Sequence, residues 1–335
     1  MGLNRYESYN KKWVDQTTDK YNDLQLTEGE RAHRQETAAL VETMSPMPGA
    51  ENQPIGVMQI ESGEAHKIMS AVRDLARQHP DTPARALDLG TFTGHSALAM
   101  ANGMKEFGGK VITCDFDNAA DKVKTFYEPI ARRVWEREGV NDIVDYRRIP
   151  LDGNGYGGAQ KLLDDLVADS ANWGTFDAVF IDENKVNYEE DVKKALLLLR
   201  PGGKMLLDNM LWSGRTTDHY IEEQKKLREE NAALPPDQQK EMVLVDGVEI
   251  WAKEDKNQDA LRALNEKIAH KQLVPTDAEA KTAWQQALKK ELKEDGYEFE
   301  FDNSCDGIMI LEKGGFAKRI SLEHLARKDA PGIAA

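Results

Sequence analysis

The stretch R-A-L-D-L-G-T-F-T-G-H-S, residues 85–96, decides the fold. Ala86, Leu87 and Leu89 make a short apolar run with one acid, Asp88, and the run breaks into a turn at Gly90 and Gly94 before a helical pattern starts at Ser96. This is how a buried parallel strand hands over to a helix beside a ligand pocket. Glycines let the backbone pass close to a ligand, and the first N–H groups of the helix have no partner of their own. A Gly-x-x-x-Gly spacing by itself is weak, since some strand-turn-helix units need glycine only to make the turn. The downstream sequence has to decide.

Outward from this turn the pattern alternates. Ala65, Ile68, Met69, Val72, Leu75 and Ala76 recur at three- and four-residue steps, which predicts an amphipathic helix over 64–78. The strand at 85–89 and the helix from 96 lead to a strand at 110–115, and a crossover of this kind is right-handed, so the sheet is parallel here. A helix is expected over 120–138, a strand over 144–149, a glycine-rich loop over 151–158, a strand over 176–182 and a helix over 188–199. Pro201-Gly202-Gly203 is read as the stop of that helix, ahead of a strand at 204–208. Helices over 259–270 and 278–292 and two strands, 297–302 and 307–312, complete the chain. The fold class expected is α/β, a doubly wound, Rossmann-like, mostly parallel sheet with an antiparallel C-terminal hairpin.

The 335 residues, 40% of them hydrophobic, suffice for a large core. Two parts are set apart: a charged N-terminal arm, 1–57, and a polar insertion at about 214–256 within the main domain, 58–335, holding a small hairpin around Asp246-Gly247. A net charge of −15 argues against nucleic acid or an anionic membrane as partner, since both demand a basic surface. Cys114 and Cys305 lie far apart and suggest neither a disulfide framework nor a zinc site. The first 21 residues lack an apolar core of signal-peptide type, and a cytoplasmic homodimer acting on a small molecule is the expected form.

In an open α/β sheet, ligands bind beyond the carboxyl ends of the strands, where Asp88, Asp115, Asp182 and Asp208 should converge. Like charges crowded on one rim destabilise each other unless a ligand or cation compensates, which marks a functional site. Asp115 lies 25 residues after Gly90, near the offset of about 20 at which an acid takes ribose hydroxyls. Asp182, Asp208 and Asn209 are hard oxygen donors suited to Mg²⁺. Lys185, three residues after Asp182, can share their pocket. Singly, these acids would serve as strand-end caps, Lys185 as a solvated helix-start lysine and Asp208-Asn209 as a turn; their order and spacing favour a site.

Three motifs, L-D-L-G-T-F-T-G-H-S-A-L, F-D-A-V-F-I-D-E-N-K-V-N-Y and L-L-R-P-G-G-K-M-L-L-D-N-M-L-W-S-G, stand in that order. They closely resemble the cation-dependent S-adenosylmethionine O-methyltransferases of the catechol and caffeoyl-coenzyme A type, over about residues 58–214 and again at the helix A-L-R-A-L-N-E-K and the terminal D-G-I-M-I-L-E. The resemblance implies that Asp88, Gly90 and Gly94 hold the methionine part of S-adenosylmethionine, with Phe92 and Ser96 beside it, and that Asp115 takes the ribose. Met58 matches the cofactor-lid segment more loosely. It further implies Asp182, Asp208 and Asn209 as ligands of a divalent cation, Mg²⁺ above others, with Asp182 also at the cofactor. Lys185 becomes the catalytic base and the acceptor a small hydroxylated aromatic. Trp212 is read separately as a wall of the acceptor pocket, with core packing as the plain alternative. The sequence departs from the pattern at Glu183-Asn184, at the loop L-D-G-N-G-Y-G-G and at 214–256. Two other readings stay open. A nicotinamide-dependent oxidoreductase would share the first strand-helix-strand but should carry Gly-x-Gly-x-x-Gly, and a non-catalytic binding protein would not need Asp182, Lys185, Asp208 and Asn209 together.

Overall fold

The computed structural model describes residues 27, 32–33, 36–37, 59–117, 127–152, 154, 156–212, 214–240, 242–245, 248–252, 255–302 and 306–314. Along the chain, α1 (Ser62–Gln78), β1 (Ala84–Leu89), α2 (His95–Met104), β2 (Gly109–Asp117), α3 (Glu128–Arg137), β3 (Val144–Pro150), α4 (Gly158–Ala168), β4 (Phe176–Ile181), α5 (Tyr188–Leu198) and β5 (Leu199–Leu207) alternate. There follow α6 (Asp218–Ala232), β6 (Met242–Val245), β7 (Val248–Trp251), α7 (Lys256–Ala269), α8 (Ala283–Glu294), β8 (Tyr297–Asp302) and β9 (Ile308–Lys313).

The strands at the centre show why the sheet is covered on both faces. In β1, Leu87 and Leu89 enter one core while Ala84 and Ala86 enter the other; in β4, Val179 and Ile181 oppose Ala178 and Phe180. Side chains alternate along a strand, so a continuous apolar run is what two covered faces require. The first core is closed by α4, α5, α7 and α8, the second by α1, α2 and α3. Strand order is β3-β2-β1-β4-β5-β9-β8. All pairs from β3 to β5 are parallel, and β9 runs antiparallel to both β5 and β8. The doubly wound sheet with its antiparallel final hairpin is therefore as the sequence predicts. Strand order reverses between β1 and β4, and in open α/β sheets it is at such a switch point, beyond the carboxyl ends, that ligands bind.

Three local differences have physical causes. Pro201-Gly202-Gly203 lies inside β5 rather than ahead of it: α5 ends at Leu198, and Leu199 already pairs with Phe176. A proline disfavours helical backbone at the residue before it, so the chain turns extended by Arg200. The helix α6 within 214–256 was not expected, because its apolar stripe is thin. Tyr220 and Leu227 are buried with Ile250 of β7 in a small satellite core, and the rest of the grip is polar. Gln224 donates to the Trp251 carbonyl at 2.8 Å, and Arg228 to that of Ala252 at 2.9 Å. β6 and β7 do form the hairpin expected around 246–247. Of the helix expected over 120–138, residues 128–137 are helical and 120–126 lie outside the described residues.

One buried acid in this frame makes stability depend on pH. Asp191 on α5 is 1% exposed, and neither carboxylate oxygen has a hydrogen-bond partner among the described residues. Burial pushes its pKa up to about 7, with Lys194 opposing and Glu190 and Asp164 adding. Between the unfolded value of ~4 and this folded value the native protein holds the extra proton, so the residue's contribution falls as pH rises through that window. Asp191→Asn removes the titration. Its stability relative to the parent, from urea unfolding, should increase from pH 5 to pH 8 by at most about 1.4 kcal/mol per pKa unit. A difference that stays constant with pH would show that Asp191 ionises normally.

Candidate active site

The turn after β1 is built by packing. Gly90 has φ 108°, and a Cβ there would stand 2.1 Å from the backbone oxygen of Asp182. Gly94 has φ 83°, and its Cβ would meet Ala131 and Trp135, both at 2.7 Å. The Trp135 indole N–H donates to the Gly94 carbonyl at 3.0 Å. Both glycines thus answer first to neighbouring protein: Gly90 lets the end of β4 close against the turn, and Gly94 lets α2 start against α3.

Two carboxylates flank this turn. The Asp115 carboxylate accepts the backbone N–H of Phe92 at 2.9 Å, and the Phe92 ring rests edge-on against Tyr127, centroids 4.7 Å apart. Asp88 accepts from the Thr113 hydroxyl at 2.5 Å through Oδ2, while its buried Oδ1 makes no hydrogen bond of sound geometry. Burial raises the Asp88 pKa to about 7, against the Thr113 and Ser96 hydroxyls and helped by Asp182 and Asp115. Residues of the N-terminal arm lie close by. The His33 and His95 rings meet edge to face at 5.3 Å, and Glu36 pairs with Arg137 at 2.9 Å and Arg133 at 3.3 Å.

On the other side of the switch point, Ile181 of β4 pairs with Leu207 of β5, which sets Asp182 beside Asp208. Lys185, its side chain 7% exposed, reaches Oδ1 of Asp182 at 2.5 Å and donates to the Tyr188 hydroxyl at 2.6 Å. Asp208 Oδ1 accepts the Asn209 N–H at 2.6 Å. Burial lifts the Asp208 pKa to about 8; Asp182 and Asp306 add to it, and Lys185 and a hydrogen bond with Glu64 oppose it. Glu64, on the first turn of α1, is itself raised well above the usual carboxylate range by burial and by Asp208 and Asp182. Glu183 is pushed up to about 8 by burial, Asp115, Asp182 and Asp191, with Lys185 opposing. Asp88, Asp115, Asp182 and Asp208 therefore act on one another at a single rim.

The turn 209–212 is held in shape from the C-terminal hairpin. Met210 N–H donates to Gly307 and Leu211 N–H to Asp306, both at 2.9 Å. Asn209 (φ 57°) and Trp212 (φ 49°) both adopt left-handed backbone, which is costly for tryptophan and persists only where the surroundings enforce it. The Trp212 indole donates to Asp255 at 2.8 Å, the residue that caps α7. Met58 lies outside the described residues.

Glu64 and Tyr188 join this site without having been singled out from sequence, and Glu183, read there only as a departure from the family pattern, joins it too. Glu64 carried a signal, since it precedes Ile68 and Val72 at four-residue steps and so falls on the buried stripe of α1. Among the described residues no group of three or more His, Cys, Asp or Glu side chains is arranged to hold a metal. The two carboxylates and one amide of Asp182, Asp208 and Asn209 are still a hard-donor set, short of positive charge, that a divalent cation with added oxygen ligands fits.

A family model described as O-methyltransferase matches residues 52–254, more than half of the chain. The chain belongs to this O-methyltransferase family. Catechol O-methyltransferase domain-containing protein 1 of Mus musculus is 38% identical over 130 residues, 39% of this chain and 43% of that protein. Caffeoyl-CoA O-methyltransferase 1 of Arabidopsis thaliana is 34% identical over 128 residues, 38% of this chain and 43% of that protein. The chain thus spans less than half the length of these relatives. The O-methyltransferase TomG of Streptomyces achromogenes, solved with SAM, superimposes with a TM-score of 0.54 at 17% identity, covering 91% of this chain and 98% of that one. The O-methyltransferase of Bacillus cereus, solved with SAH, gives 0.52 at 19% identity, covering 90% and 99%. At such identities these structures show a shared fold.

Proposed function

We propose that this O-methyltransferase family member transfers a methyl group from S-adenosylmethionine to a hydroxyl of a small catechol-like acceptor, with a divalent cation and Lys185 as base. The observation that carries this reading is the side-by-side placement of Asp182 and Asp208, with Lys185 buried against Asp182, next to the glycine turn of a family member. The relatives' names, catechol and caffeoyl-CoA O-methyltransferases, support the acceptor class.

Asp88, with its unpartnered buried Oδ1, and the turn at Gly90, Phe92, Gly94 and Ser96 would receive the methionine part of the donor, which supplies an electrophilic methyl on a sulfonium. Asp115 would take the ribose. Its carboxylate is already oriented by the Phe92 N–H, so one acceptor oxygen is fixed before the ligand arrives. Asp182, Asp208 and Asn209 would hold the cation, which would supply positive charge that binds acceptor oxygen and lowers a hydroxyl pKa. Lys185 would take the hydroxyl proton as the oxygen attacks the methyl carbon and the carbon–sulfur bond breaks, releasing S-adenosylhomocysteine. Trp212, fixed through Asp255, would form one wall of the acceptor pocket. Residues 214–256, which follow directly, are proposed as a lid or subunit contact over that pocket, and the protein as a cytoplasmic homodimer. No helix among the described residues is long and apolar enough to cross a membrane.

Three measurements test this. With a panel of catechols and labelled donor, EDTA should abolish transfer reversibly, and Asp208→Ala should abolish it irreversibly while calorimetry still shows S-adenosylhomocysteine binding. Full activity in metal-free buffer, confirmed by elemental analysis, removes the cation from the mechanism. Lys185→Met, which keeps most of the stem, should lower turnover by roughly 10²–10⁴-fold with donor affinity near normal; near-full turnover would assign the proton elsewhere. Replacing 214–256 with a short linker should change acceptor selectivity or oligomeric state, and the lid reading fails if both are untouched in an active protein.

A further inference from the structure

Tyr188 stands at the start of α5 with its ring fully buried, and its hydroxyl is the second partner of the Lys185 ammonium. The hydroxyl donates its own proton to the Ile181 carbonyl at 3.0 Å, which leaves its lone pairs to receive an N–H from Nζ at 2.6 Å. Nζ also lies 4.8 Å from the centre of the Tyr188 ring. The same Ile181 carbonyl accepts the N–H of Asp208 at 3.1 Å. One backbone oxygen thus ties the anchor of Lys185 to the strand ends that carry Asp182 and Asp208.

From this geometry we propose that Tyr188 is a positioning residue that aims Lys185, an inference that rests on Lys185 being the base. A neutral amine has two N–H bonds and one lone pair. With Asp182 Oδ1 accepting one N–H and the Tyr188 hydroxyl the other, the lone pair is left facing away from both. The amine that must take a proton is thereby held in one orientation, with no rotation to be frozen when the acceptor arrives. Asp182 alone leaves the second N–H free to turn about the Cε–Nζ bond. Tyr188 is suited to the task because its hydroxyl is itself fixed by Ile181, so the anchor does not rotate either. A tyrosine required only for packing would need no hydroxyl partner on the catalytic side.

The test is Tyr188→Phe, which keeps the ring and removes only the hydroxyl; the Ile181 carbonyl retains the Asp208 N–H. The assay uses labelled S-adenosylmethionine and whichever catechol of the panel turns over fastest. Loss of alignment should lower kcat by roughly ten- to a hundredfold, with S-adenosylhomocysteine affinity unchanged by calorimetry. In a Lys185→Met background the same substitution should cost nothing further, because there is no amine left to aim. An unaltered kcat, or an equal fold-loss in both backgrounds, overturns the proposal and leaves Tyr188 a packing residue. Should Tyr188→Phe fail to fold, 2,3-difluorotyrosine at position 188 keeps the hydroxyl but weakens it as an acceptor. A smaller drop in kcat, again absent in Lys185→Met, then supports the proposal, and an unchanged kcat overturns it. A Lys185→Met protein with parental turnover, or a parent that transfers no methyl group, would instead defeat the reading of the site on which this one stands.

Discussion

The end of β4 closes against the turn after β1 more tightly than any side chain allows. Asp182 N–H donates to the Leu89 carbonyl at 2.8 Å, and the Asp182 carbonyl occupies the space a Cβ on residue 90 would need. That contact fixes the backbone of Asp182, and much else follows from it. The Asp182 carboxylate holds Lys185, and the preceding residue, Ile181, gives its carbonyl to the Asp208 N–H and the Tyr188 hydroxyl. The two halves of the sheet, the cofactor-type turn on one side and the lysine with its carboxylates on the other, are joined by one glycine-dependent approach at the switch point.

The second constraint is charge. Asp88, Glu183 and Asp208 are each raised to about 7 or 8, and Glu64 well above its usual range, with burial the leading cause at all four. Lys185 opposes the shift at Glu183 and Asp208 but is shared with Asp182. Packing alone gives no reason to gather so many acids under a sheet edge, because each desolvated carboxylate costs stability unless it is paired. The arrangement makes sense as a receptacle for positive charge that arrives with ligands. The same cost falls on Asp191 of α5, which also adds to the shift at Glu183.

How much of this is legible in sequence depends on whether the signal is local. The strand-turn-helix at 85–96 is dictated by adjacent residues, and the apolar strands and their acids follow by spacing, so fold class and rim could be read. The glycines were legible as positions but not as causes: what Gly90 and Gly94 avoid are Asp182, Ala131 and Trp135, contacts between segments far apart in the chain. Helix α6 escaped because much of its hold on the β6–β7 hairpin is made by Gln224 and Arg228 reaching backbone carbonyls, which leaves only a thin apolar stripe. Tyr188 was visible as a helix start three residues from Lys185; that its hydroxyl would be fixed by the Ile181 carbonyl and so face the lysine was not. Glu64 shows the intermediate case, an acid on an apolar stripe that marks something buried without saying what it meets.

On the proposed reaction, the rim's charge bears on turnover as well as on binding. The donor is a sulfonium cation and its product a neutral thioether, while Lys185 takes the acceptor's proton, so each transfer moves one positive charge from the donor sulfur, beside Asp88 and Asp115, to the amine held at Asp182. In a partly desolvated site, attraction between these acids and the ligand is stronger than in water, and it is lost when the methyl group leaves. The product would then be held by its ribose and amino-acid contacts alone. Interactions that favour the donor over the product oppose product inhibition without weakening the grip on the parts that do not react, which is differential binding applied to release. On this reading, the desolvated carboxyl groups of Asp88, Glu183 and Asp208 favour a positively charged occupant over a neutral one.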